Sequence, residues 1–101
     1  MSARLAQQTM IAGAVALVMT STSDPSWMAY LSCVRDALPE AEDCSPTMVP
    51  VWVACDSLTR ARSGEDRTKA LYRLSYEVRV YFLRSMADRH AELTGKSGAA
   101  A

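Results

Sequence analysis

The residues that could do chemistry are few, and their spacing argues against most of it. His90 is the only histidine in the chain. A lone histidine near a helix end is ordinarily a surface residue that the helix dipole favours. Cys33, Cys44 and Cys55 are eleven residues apart, with no C-x-x-C pair among them. An odd number at that spacing fits neither a closed disulfide framework nor a zinc site. They are expected to be small buried hydrophobes. The alternative is one disulfide and a spare thiol in an exported chain. Asp36, Glu40, Glu42 and Asp43 could gather in a loop, but their spacing is not that of a calcium loop, and its glycine is missing. No Glu-x-x-His pair faces a bundle core, and no glycine-rich phosphate loop occurs. Catalytic, metal-binding and cofactor-binding residues are therefore not expected, and neither is an enzyme.

The basic residues carry the remaining polar signal. Arg60, Arg62, Arg67, Lys69 and Arg73 are five cations within fourteen residues, enough to grip phosphate. Glu65 and Asp66 interrupt them, and no recognition-helix motif accompanies them. Weak nucleic-acid binding through this cluster is a subordinate reading. The formal net charge is zero, yet the halves differ. Residues 1–55 hold two bases against five acids, and residues 56–101 nine against six. Such halves can dock on each other, within one chain or between two.

These residues need elements to hold them. Half the chain is hydrophobic and 22% is charged, a globular composition that suits one domain at 101 residues. Prolines and glycines are few, and no period-2 alternation is sustained. The expectation is all-α: about four helices near 3–20, 25–38, 50–62 and 66–93, in one domain over 1–95 with a flexible tail at 96–101. In the first helix, Leu5, Ile11, Ala12, Val15, Val18 and Met19 form one face, and Met10, Ala14 and Leu17 widen it almost all round. That places it centrally or in a subunit interface. Asp24 caps the second helix, Pro25 opens it, and Trp27, Leu31, Val34 and Leu38 line its face until Pro39 ends it. Trp52, Cys55, Leu58 and Thr59 make the stripe of the third, with Met48 and Val51 leading in, and Ser63-Gly64 is its stop signal. Glu65 or Asp66 caps the fourth, and Gly95 ends it. The fourth helix has a core stripe (Leu71, Leu74, Val78, Tyr81, Phe82, Met86) and a second one (Tyr72, Tyr76, Val80, Leu83).

The apolar run from Met10 to Met19 is too short to cross a bilayer, which takes about 20 residues. It has the length of a signal-peptide core, so export with residues 1–23 removed is the alternative to a cytoplasmic protein with a buried first helix. The surplus of apolar faces points to a non-enzymatic protein–protein interaction module. Such a module would be an adaptor, inhibitor or regulatory accessory protein, with a homodimer the simplest way to cover the surplus. The partner-binding residues expected are Tyr72, Tyr76, Val80 and Leu83, with Arg60, Arg62, Arg67 and Arg73.

Overall fold

Four helices are present among the described residues: α1 (Ala3–Met19), α2 (Pro25–Ala41), α3 (Val49–Arg60) and α4 (Gly64–Ala100). This computed structural model describes residues 2–100, with side chains through Gly95, and shows no strand among them. The tail expected at 96–101 therefore lies outside the described side chains. The fold is a small all-α bundle, as composition and periodicity predict.

The helix starts follow local chemistry. Ser2 and Asp24 accept from backbone N–H groups in the first turns of α1 and α2, and Pro25 occupies a position that needs no donor. Ser63, not Glu65 or Asp66, caps α4: its Oγ accepts from the Asp66 N–H at 3.0 Å. Glu65 and Asp66 instead sit in the first turn, where carboxylates favour the dipole. The stops are corrected too. Pro39 does not end α2, which runs on to Ala41. Proline in a helix interior costs about 3 kcal/mol. Burying Leu38 and Ala41 on the far side opposes that cost, and the Trp52 indole N–H donates to the Leu38 carbonyl at 2.8 Å. Nor does Gly95 end α4. A glycine stops a helix by turning left-handed, and no described glycine has a positive φ.

α1 is the central helix and touches the other three, while α2 and α4 come together only through side chains, Arg67 of α4 lying over the ring of Trp27 of α2. Its buried line is Ala6 with Met10, Ala14 and Leu17, the three expected to widen the face, whereas of the face itself Leu5, Ala12 and Met19 are exposed and Ile11, Val15 and Val18 half-buried. Small residues decide this. Gly13 brings the α1 backbone so close to α2 that a Cβ there would run into Val34 Cγ2. Trp27 completes the α1–α2 contact, fully buried, with its indole N–H donating to the Leu17 carbonyl at 2.9 Å. From α3 come Val51, Ala54, Cys55 and Leu58, and from the described part of α4 Leu74 and Val78, with Ala70, Leu71 and Tyr81 half-buried against them.

α4 outgrows the bundle. Its 37 residues span roughly 55 Å at 1.5 Å each, and the molecule's long axis is 55 Å. The radius of gyration is 15.5 Å, against about 13 Å for a compact domain of this length. The accessible surface is 6731 Å², against about 5,600 Å² for a compact monomer of 11.0 kDa. Phe82 and Met86, expected in the core, are exposed. Tyr81 and Phe82 reach the level of Gln7 and Arg4, near the beginning of α1, and the rest of α4 runs past it.

Candidate interaction surface

The polar candidates come first. The histidine, His90, is exposed. Of the cysteines only Cys55 is buried; Cys44 is half-buried and Cys33 exposed, which corrects the expectation of three buried thiols. Cys33 falls outside the buried line of α2, one residue before Val34. Burial pushes the Cys55 thiol up to about 12, and desolvation also raises that of Cys44. Neither is an activated nucleophile, since the reactive species is the thiolate. Among the described residues, no three His, Cys, Asp or Glu side chains gather closely enough to hold a metal.

The cationic cluster is spread around the end of the bundle where α3 meets α4. Arg60 pairs with Asp56 (Nε–Oδ1 3.0 Å), Lys69 with Glu65 at 3.3 Å, and the Arg67 guanidinium lies 5.4 Å from the Trp27 ring centroid. Arg60, Lys69 and Arg73 line one shallow cleft of about 450 Å³ that also holds Asp66. Arg62 is exposed beside it. Among the described residues no ion pair joins Glu40, Glu42 or Asp43 to these cations, although Glu42 and Arg60 line one cleft between α2 and α3. The Asp43 carbonyl accepts from Gln7 on α1, whereas Trp27, under Arg67, is bonded to Leu17. Ten residues of α1, roughly 15 Å, separate Asp43 from Arg67.

The apolar candidates converge. Leu74 is fully buried and Val78 nearly so, while on the opposite side of the helix Tyr72 is 77% exposed, Tyr76 64% and Leu83 59%. Val80 flanks them, half-buried. At 100° per residue, Tyr72, Tyr76 and Leu83 fall within about 40° of one another. They point away from the bundle.

The two faces of α4 change character differently along its length. The inner line reads Leu71, Leu74, Val78, Tyr81, then Ser85, Asp88, Glu92. It turns polar where the other helices stop. The outer line reads Tyr72, Tyr76, Arg79, Leu83, Met86, His90, Leu93 and stays mostly apolar past that point. Sequence reasoning missed Met86 and Leu93 as members of the outer line. Their three- and four-residue spacing from Leu83 was the available signal.

A second apolar feature lies between α1 and α4. It is a groove of about 670 Å³ floored by Ile11, Ala12 and Val15 and walled by Tyr81 and Phe82. The two aromatic rings meet edge to face, 5.3 Å between centroids. No helix is long and apolar enough to cross a membrane among the described residues. Comparison with protein families, curated proteins and solved structures finds no match.

Proposed function

We propose that this protein is a non-enzymatic interaction module that works by associating with a second copy of itself through the outer face of α4. One observation carries the reading: α4 buries Leu74 and Val78 in its own bundle yet holds Tyr72, Tyr76, Leu83 and Met86 in water on another side. Scattered exposed apolar residues are normal on any protein, but a mostly apolar line of them, broken by Arg79 and His90, on a helix that overhangs its bundle is not. Aromatic side chains in such a line are the residue type that anchors interfaces. An adaptor, inhibitor or regulatory role would be exercised by the assembled form. Arg62 and Arg73, exposed near the start of α4, would frame the contact and set its salt dependence.

Sedimentation equilibrium over a micromolar concentration series tests the reading. A species near twice 11.0 kDa is expected. A monomer at every concentration overturns it.

A further inference from the structure

The outer line of α4 has a stricter pattern than exposure alone requires. Glu65, Lys69, Tyr72, Tyr76, Arg79, Leu83, Met86, His90 and Leu93 follow one another at alternating steps of four and three, and every one is exposed. That is the a/d spacing of a heptad seam, whose 3.5-residue period keeps one edge of a helix against a second helix. Glu65 to His90 covers roughly 39 Å of helix.

Resting on the self-association proposed above, we infer that this seam packs against α4 of a second copy, antiparallel, with Tyr72 opposite the partner's Leu83. The charges choose the orientation. A parallel pair would stack Glu65, Lys69, Arg79 and His90 each on its own copy, four like-charged or like-polar layers. An antiparallel pair with Tyr72 on the partner's Leu83 removes all of them. Glu65 then meets the partner's His90, Lys69 meets the partner's Met86, and Tyr76 meets the partner's Arg79. The two-fold axis repeats each layer, so two guanidinium groups lie against two tyrosine rings, a favourable cation–π arrangement.

Neighbouring registers are poorer. Sliding by one heptad towards the N-termini opposes Lys69 to the partner's Arg79. Sliding the other way moves Arg79 from a tyrosine to the partner's Leu83. The seam lies opposite Leu74 and Val78, so a second helix is added without displacing any helix of the bundle. Polar residues at seam positions lower affinity and fix register, which suits a reversible dimer.

The test uses the full chain with Tyr72→Glu, Leu83→Lys and the double variant, read by sedimentation equilibrium. Circular dichroism checks that each variant keeps the helical content of the monomer. Each single variant is expected to weaken the dimer more than tenfold. The double variant is expected to recover to within a few-fold of the original, because each glutamate then faces a lysine across the seam. Single variants that are monomeric with no recovery in the double overturn the register, since 72 and 83 would not face each other. A dimer that neither single variant weakens overturns the seam but leaves self-association standing. A parent protein that is monomeric throughout overturns both.

Discussion

Gly13→Ala should destabilise this protein, although alanine is the better helix former. The substitution gains about 1 kcal/mol of helix propensity. Against that, the new methyl would run into Val34 Cγ2, with the Tyr30 carbonyl oxygen at 3.8 Å behind it. Val34 is fully buried. Its branched side chain has one strongly preferred rotamer in a helix, so it cannot swing away. The methyl fits only if α1 and α2 move apart, and overpacking of this kind costs about 1–3 kcal/mol. The net expected loss is about 1 kcal/mol, or a fall in melting temperature of roughly 4–8 °C at this size. The cause is isolated by a double-mutant cycle with Val34→Ala. Truncating the valine removes the obstacle, so Gly13→Ala should then stabilise by up to about 1 kcal/mol. The resulting coupling of about 2 kcal/mol exceeds the roughly 0.5 kcal/mol within which independent sites add. Urea denaturation at one fixed chain concentration is the assay, because the proposed dimerisation would make apparent stability depend on concentration. If Gly13→Ala stabilises the parent chain by its full propensity and adds independently of Val34→Ala, the close approach of α1 and α2 is refuted.

Four further outcomes follow from the same packing. Leu74→Ala should cost about 2–5 kcal/mol of folding stability, while Tyr76→Ala should leave the melting of the dissociated chain nearly unchanged and weaken self-association; equal, large losses from both would return α4 to a closed bundle. Trp52→Phe removes the indole bond to the Leu38 carbonyl and should cost about 1–2 kcal/mol in denaturant unfolding. Ser63→Ala should cost about 1 kcal/mol through loss of the α4 cap, a loss that Ser63→Asp would largely avoid. Because burial raises the Cys55 thiol from 9.0 to about 12, the native state keeps its proton where the unfolded chain has lost it. Unfolding free energy should therefore be undiminished by this group below pH 9 and decline between pH 9 and 12; Cys55→Ala should remove that part of the decline.

The helices were legible in the sequence because their signals are local. Asp24-Pro25 needs only its neighbours to act as a start, and the three- and four-residue spacing of Trp27, Leu31, Val34 and Leu38 needs only the helix itself. What was not legible depends on distant partners. Pro39 has the local chemistry of a stop, and only Trp52 and the burial of Leu38 and Ala41 explain why α2 continues. The buried line of α1 was only partly legible: Met10, Ala14 and Leu17 read as the flank of a face richer in Ile and Val, and Ala6 did not stand out. Burial there is set by how closely a second backbone can come, which Gly13 and the alanines permit. Cys33 was misplaced for a related reason: one step along a helix is 100°, enough to move a residue from core to water.

α4 shows how far pattern can carry a functional argument when no relative guides it. A helix made apolar merely for stability would lose its apolar residues wherever the bundle ends, on all sides together. Here the inner line does so, passing from Tyr81 to Ser85, Asp88 and Glu92, while the outer line runs on through Leu83, Met86 and Leu93. Exposed apolar surface is a standing liability for solubility and lends nothing to an isolated monomer. The two lines also share a period. Leu71, Leu74, Val78 and Tyr81 keep the same alternating steps as Tyr72, Tyr76, Arg79 and Leu83, offset to the opposite face. One line is matched to the helices this chain supplies. By the same physical logic we propose that the other is matched to a helix it does not supply, and a second α4, in the antiparallel sense, is the partner whose length, spacing and charges fit the proposal.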